Sequence, residues 1–186
     1  GPEVIALTYK KDIFIFDSTD PNYAQHALTG DLKKTIVIVS SKSGSTIETS
    51  AQRSLFQSAF IAAGLNPIEH ILFVTDPGSP LDSEVRDAGF SVINADPNVG
   101  GRFSVLSAFG LTPTALAGAP IVQLLQDAQS EKSEFLTHPQ TILDTAYLLV
   151  ARASQYIAFT DAGSAVLGLS DWIEQLIAES TGKDGT

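Results

Sequence analysis

The chain contains no cysteine and no methionine. The first absence excludes disulfides and thiolate-held metals, and it is compatible with any compartment. The second extends even to position 1, and Gly1-Pro2-Glu3 runs at once into what reads as the body of a helix. Together these predict an internal segment of a longer chain. Also missing are an apolar run approaching the roughly 18 residues that suggest a membrane helix and a basic-apolar-small leader, so the chain reads as cytosolic, with no membrane partner. Cations are scarce: 11 Lys and Arg stand against 21 Asp and Glu, a net charge of -10. That balance opposes binding to nucleic acid or to an anionic membrane, so an anionic ligand would need a local basic pocket. Lys42 and Arg102 are the obvious contributors. What remains is 186 residues with 44% hydrophobic content, enough to bury a full core and to form a single domain over 1–186.

The most informative stretch is Thr35-Ile-Val-Ile-Val-Ser-Ser-Lys-Ser-Gly-Ser-Thr-Ile-Glu-Thr49. Ile36 to Val39 are β-branched and uninterrupted, as a strand buried on both faces requires. The loop that follows supplies hydroxyls from Ser40, Ser41, Ser43, Ser45 and Thr46, a flexible backbone at Gly44 and the charge of Lys42. A helix starting near Thr46 would aim its unpaired N–H groups and positive dipole end at the same spot, which suits an anion. A Ser-rich turn with an ordinary N-cap is the plainer alternative. A nucleotide P-loop is disfavoured because Lys42 precedes its glycine and no Gly-x-x-x-x-Gly-Lys-Ser/Thr pattern occurs, so a sugar phosphate fits better than ATP.

Along the chain, residues 3–10 read as a helix remnant and Ile13 to Phe16 as a short strand. Asp20 and Pro21 then provide an N-cap and a first helical position. Strand 35–39 leads into an amphipathic helix over about 46–63, stopped by Gly64. Strand 71–74 ends at Asp76-Pro77-Gly78, a helix near 80–88 stops at Gly89, and strand 90–94 ends at Asp96-Pro97-Asn98. Strands alternating with helices at this pace predict βαβ units: an α/β protein whose parallel sheet is covered on both faces, with ligands at the carboxyl ends of its strands. From about 104 onward the pattern is helical. Ile142, Ala146, Leu149, Val150, Ala153 and Ile157 mark one face of a long helix expected to pack on the sheet, and Val166, Leu169, Ile173, Leu176 and Ile177 mark one side of a last helix over about 165–181. No internal repeat, low-complexity run or linker is visible.

Two further motifs carry chemistry. In Asn98-Val-Gly-Gly-Arg102-Phe-Ser-Val-Leu-Ser the paired glycines allow a close backbone approach, and Arg102 becomes a cation suited to a phosphate or a developing oxyanion. Otherwise it is a glycine turn with a solvated arginine. Gln175 and Glu179 sit four residues apart near a helix end, so their polar heads share one face. A carboxylate there could act as a base if burial raised its pKa toward neutrality; the plainer alternative is an exposed acidic helix end.

Taken in order, Ser-Lys-Ser-Gly-Ser-Thr-Ile-Glu-Thr, Gly-Gly-Arg-Phe-Ser-Val-Leu-Ser and Glu-Gln-Leu-Ile-Ala-Glu-Ser-Thr-Gly-Lys closely resemble the glucose-6-phosphate isomerase family over nearly the whole chain. The resemblance implies the first sugar isomerase (SIS) domain: an α/β/α sandwich of flavodoxin-like or Rossmann-like kind, lacking the family's first strand, which would lie before Gly1. It implies an aldose–ketose isomerisation between glucose 6-phosphate and fructose 6-phosphate through an enediol. Ser41, Lys42, Ser43 and Thr46 would hold the substrate phosphate, Arg102 would stabilise the enediolate, Gln175 would position the sugar, and Glu179 would shuttle the proton between C2 and C1. No cofactor or metal is expected. The complete enzyme would be a homodimer, and its ring-opening histidine and a late lysine would follow Thr186, so the segment alone is expected to be inactive. His26, His70 and His138 match no catalytic position of the family and read as a helix, a pre-strand and a helix-start residue.

Two other functions fit parts of the pattern. A non-catalytic SIS module that senses sugar phosphates would need the phosphate loop but no base, so Arg102 with the Gln175/Glu179 pair favours the enzyme. A purely structural domain would leave the pocket empty, and ligand-induced thermal stabilisation separates it from the other two.

Overall fold

The computed structural model describes residues 1–151, 157–160, 162–163, 166 and 168–181. Its centre is a parallel sheet of three strands in the order β1-β2-β3: β1 is Val37–Ser40, β2 Ile71–Thr75 and β3 Ser91–Asn94. Val37 pairs with Ile71 and Leu72 with Ser91, so the strands leave the sheet at one end and deliver their following loops there together. The first strand begins later than the apolar run predicts. The Thr35 carbonyl accepts from or meets the His70 ring at Nδ1, 2.9 Å away, outside the ladder.

Side-chain alternation along the strands assigns the two faces. Val39, Ile71 and Phe73 face helices α3 (Ile47–Ala62) and α5 (Pro80–Asp87), and with Phe56, Phe60, Leu81 and Val85 they form the larger core cluster. Val74 points to the opposite face and packs with Ala95 and with Phe109 of α6 (Ala108–Leu116). The short α1 (Pro2–Thr8) lies behind α6, and Ile5, Val105 and Ala119 form a third cluster there. Helices thus cover both faces of the sheet, as the alternation of elements predicts.

Local chemistry sets most boundaries. In α2 (Pro21–Ala27), Asp20 accepts from the Asn22 N–H and Pro21 occupies the first turn. Asn66 caps the single turn α4 (Pro67–His70), and Ser79 caps α5. Gly64 and Gly89 follow α3 and α5 with φ of 72° and 85°, the left-handed conformation that lets a chain turn out of a helix at no Cβ penalty.

Three further expectations fail. Ile13 to Phe16 is not a strand; no ladder partner runs beside it among the described residues. Its apolar side chains are used differently. Phe14 stacks on Tyr23 at 5.3 Å between ring centres, Phe16 meets Phe56, and the Tyr23 hydroxyl donates to the Ile15 carbonyl at 2.8 Å. The second failure is the long helix expected on the sheet. It appears as α8 (Gln140–Ala151), following α7 (Ile121–Thr137), and buries no residue. Ile142, Leu148 and Val150 are exposed, and Ala153 lies outside the described residues. A 3.6-residue period shows which side of the helix is apolar, but both faces of the sheet are already covered, one by α3 and α5 and the other by α6. His138 correspondingly ends α7, with Nδ1 2.9 Å from Glu134 Oε1, and does not start a helix. No helix among the described residues is long and apolar enough to cross a membrane.

Candidate active site at the strand ends

The first loop leaves β1 at Ser41, whose N–H still donates to the Val74 carbonyl at 3.0 Å. Ser41 is buried, and its hydroxyl accepts from the Gly44 N–H at 3.1 Å, which closes a tight turn. That turn demands glycine. Gly44 has φ of 76°, and a Cβ built there would lie 2.5 Å from Leu81 Cβ. Ser43 and Ser45 are exposed, with hydroxyls 2.6 Å apart, and Thr46 begins α3 without a side-chain cap. The first-turn N–H groups of α3 therefore lack the capping oxygen that α2, α4, α5 and α6 each receive from Asp20, Asn66, Ser79 and Ser107.

Lys42 does not extend into solvent. Its ammonium lies 2.9 Å from one Asp76 carboxylate oxygen and 3.1 Å from the other, and it donates to the Val99 carbonyl at 2.8 Å. The side chains of Lys42 and Asp76 retain only 31% and 18% of their full exposure. The Phe109 ring of α6 lies beneath, 5.8 Å from the ammonium. The Lys42 carbonyl in turn accepts from the Thr75 hydroxyl at 3.0 Å and the Asp76 N–H at 3.3 Å. The exits of β1 and β2, and the loop beyond β3 that contains Val99, are thereby stitched together around one lysine.

Beyond Val99 the chain enters a 3₁₀ turn over Gly101–Leu106, which presents Arg102. The Arg102 side chain is three-quarters covered, with 23% exposure, and its guanidinium lies over the Phe103 ring at 4.6 Å. It reaches the last helix, α9 (Leu169–Thr181), where its Nε donates to the Ser180 hydroxyl at 3.0 Å and Nη1 lies 3.8 Å from Glu179. The Gln175 amide donates to the other Glu179 oxygen at 2.9 Å. Leu169, Ile173, Leu176 and Ile177, on the side of this helix read as apolar, are all partly buried; Val166 is partly buried too but lies before the helix, which starts at Leu169. Trp172 completes the attachment: its ring packs against the cluster of Ile5, Val105 and Ala119, so the segment carrying Arg102 and the helix carrying Glu179 share one apolar support. The expected stop at Gly182 lies outside the described residues.

The structure thus gathers Arg102, Gln175 and Glu179 into one group, and it joins the Ser41–Thr46 loop to the approach to Arg102 through Lys42. Sequence reading passed over Asp76, Ser180 and the Val99 carbonyl. Asp76-Pro77-Gly78 signals a turn and nothing more, and Ser180 gives no signal apart from its adjacency to Glu179. No group of three or more metal-ligating side chains occurs among the described residues.

Among acidic groups, Asp82 departs from ordinary behaviour. It accepts from the Gly78 N–H at 2.9 Å, from the Asn94 amide at 3.1 Å and from Arg86 Nε at 2.8 Å. These donors favour the ionised form, the Gly78 N–H most, and hold its carboxyl below the usual carboxylate range against an opposing effect of burial. This network fixes the turn after β2, which also carries Asp76.

Sheet, loops and cluster define an α/β protein with a polar site at the carboxyl ends of parallel strands. No family model matches the chain. It is 32% identical over 177 residues to a glucose-6-phosphate isomerase of Campylobacter jejuni, an alignment covering 94% of this chain and 44% of that protein. A glucose-6-phosphate isomerase of Citrifermentans bemidjiense is 35% identical over 98% of this chain and 38% of its own length. Among solved structures, a hypothetical protein from Thermus thermophilus superposes with a TM-score of 0.82 at 30% identity, over 98% of this chain and 46% of that one. A glucose-6-phosphate isomerase from Chlamydia trachomatis superposes with a TM-score of 0.52 at 36% identity, over 59% of this chain and 22% of its own. Over nearly its whole length the chain is similar to glucose-6-phosphate isomerases, and it spans less than half the length of these relatives.

Proposed function

We propose that this segment supplies the phosphate-holding loop and the proton-transfer base of a glucose-6-phosphate isomerase, interconverting glucose 6-phosphate and fructose 6-phosphate. The observation that carries the reading is the Arg102–Glu179–Gln175 group, assembled from two segments far apart in sequence, taken together with the uncapped start of α3. A phosphate monoester fits the hydroxyls of Ser43, Ser45 and Thr46 and the first-turn N–H groups of α3, where the helix dipole favours negative charge. Lys42 adds positive charge behind the loop.

With the phosphate held there, the sugar chain extends toward Arg102 and Glu179. Glu179 removes the proton from C2 of the open-chain aldose while the C1 carbonyl oxygen takes up the electron pair, giving the enediolate. Arg102 offsets the charge on that oxygen. Glu179 then returns its proton to C1 and the ketose carbonyl forms at C2, with the hydroxyl protons redistributed between the two oxygens. Gln175, bonded to one Glu179 oxygen, orients the carboxylate so that the other can face the substrate. With 46% of its side chain exposed, Glu179 is open to a ligand. None of the three histidines contacts this group: His26 lies against Phe14, His70 against Phe60, and His138 beside Glu134. Ring opening therefore calls for a group the segment does not supply. Alone, it binds sugar phosphate without enzyme-like turnover.

The test is solvent-isotope exchange into C2 of the substrate by a full-length isomerase containing this segment. Glu179→Gln keeps the shape and removes the basicity, so exchange and kcat fall by about a hundredfold or more, the contribution of a positioned general base, while sugar-phosphate binding persists. Exchange at the unmodified rate in that variant would assign the proton to another group and leave Glu179 a structural element of α9.

A further inference from the structure

We infer that Asp76 is a positioning residue for this site, acting through Lys42. A lysine in a phosphate loop is expected to spend its charge on the phosphate. Here the ammonium is already doubly engaged, held by both Asp76 oxygens and by the Val99 carbonyl, in a place where neither side chain is well hydrated. Its backbone carbonyl is fixed as well, by Thr75 and by the Asp76 N–H. Lys42 is thus pinned at both ends to β2, and its tip pins the loop after β3.

The consequence reaches Arg102. Val99 is followed by Gly100 and Gly101, whose carbonyls are bonded within the following turn, by the Phe103 N–H at 2.9 Å and the Ser104 hydroxyl at 2.6 Å, so the ammonium contact is what ties this stretch to the phosphate loop; the Gly101 Cα has no atom within reach of an added Cβ. The Val99 carbonyl accepts no backbone hydrogen bond outside regular elements; its described partner is the ammonium. Asp76 keeps the charged head oriented by taking two of its three donors and leaving one for Val99. In this arrangement Asp76 sets the distance between the phosphate loop and the arginine loop, which is the span a sugar phosphate must bridge. Its own carboxylate need not touch the ligand. Lys42 contributes charge to the loop from behind and cannot donate all of its ammonium hydrogens to a phosphate without releasing the arginine loop.

This functional consequence rests on the sugar-phosphate reading, but the linkage itself does not, and one set of variants separates the two. The experiment follows amide hydrogen exchange across residues 96–103 in the 186-residue chain for Asp76→Asn, Asp76→Glu and Lys42→Met, together with binding of inorganic phosphate and of glucose 6-phosphate. Asp76→Asn and Lys42→Met should each speed exchange in 96–103 by about tenfold, the loss expected for a charge-assisted hydrogen bond, while amides of β1 to β3 change little. Combining the two substitutions should add nothing further, because both break the same link. Asp76→Glu, which restores the carboxylate, should recover part of the protection, a rescue that a packing role would not show. Glucose 6-phosphate, which spans both loops, should lose more affinity in Asp76→Asn than inorganic phosphate, which needs only one. Should Asp76→Asn fail to fold, Lys42→Met carries the exchange measurement alone. Unchanged exchange across 96–103 in the folded variants, or a gain in affinity for both ligands in Asp76→Asn, would overturn the inference, making Asp76 a mask over the lysine charge. Failure of the unmodified chain to bind either ligand would instead sink the phosphate reading, and the exchange measurement would still decide the linkage.

Discussion

Replacing Gly44 by alanine separates two contributions that usually arrive together. Gly44 has φ of 76°, a conformation in which an L-residue other than glycine is strained by about 1–2 kcal/mol. The new methyl would also lie 2.5 Å from Leu81 Cβ and 3.2 Å from Leu81 Cγ. Leu81 is buried in the larger core cluster, and its Cβ cannot swing away by a rotamer change, so α5 or the loop has to move. Overpacking of that kind costs about 1–3 kcal/mol more. The sum, roughly 2–5 kcal/mol, corresponds to a fall in Tm of about 4–20 °C for a chain of this size. Gly78 provides the control: its φ of 71° is nearly the same, but nothing lies within 4 Å of an added Cβ. Gly78→Ala should therefore show the strain alone. Leu81→Ala should not relieve Gly44→Ala fully, because the nearest atom is the Cβ that alanine keeps. Thermal unfolding by circular dichroism of the single and double variants reads all of these differences. Equal losses at positions 44 and 78, or a Gly44→Ala chain as stable as the unmodified one, would refute the steric argument.

Phe73 is fully buried, at 0% exposure, and Phe73→Ala should cost about 3–5 kcal/mol, seen as a lower urea midpoint with an unchanged slope. The Asp82 network gives a pH dependence of defined sign. Its folded-state pKa is depressed, so its contribution is present above the unfolded carboxylate value of about 3.9 and is lost as pH falls through the lower folded value. Urea titrations at decreasing pH should show this acid-side loss, and Asp82→Asn, less stable at neutral pH, should show a smaller one. Glu179→Gln should abolish isotope exchange at C2 without releasing sugar phosphate, as set out above.

The parts of the fold written in short-range chemistry were legible in the sequence. Ile71 to Val74 and the stretch ending at Asn94 read as strands because turn residues bound them, and Asp20, Pro21, Gly64 and Gly89 mark helix ends through their own side chains or lack of one. Gln175 and Glu179 were readable as a pair because four helical residues bring them to one face. Errors arose where the outcome depended on a distant neighbour. Ile13 to Phe16 has the composition of a strand, but a strand also needs a backbone beside it, and the aromatic rings found Tyr23 and Phe56 instead. The stripe on α8 announces an apolar face without naming its cover. The partners of Lys42 stand 34 and 57 residues away, and Ser180 lies 78 from Arg102, separations at which no periodicity speaks.

The contrast between the central sheet and the helices after it also dictates an order of events in folding. Pairing β1 with β2 and β2 with β3 joins positions such as Val37 with Ile71 and Thr75 with Asn94, so a loop must close before each ladder returns any energy. Helices α7 and α8 need no such closure; their hydrogen bonds run between near neighbours, and helices of that kind relax in about a microsecond. Starting from the denatured chain, helical signal should therefore recover first while Phe73 and Phe60 are still exposed. Burial of those rings should follow as the slower phase. Substitutions on α8 would change the amplitude of the early phase and leave the rate of the late one untouched.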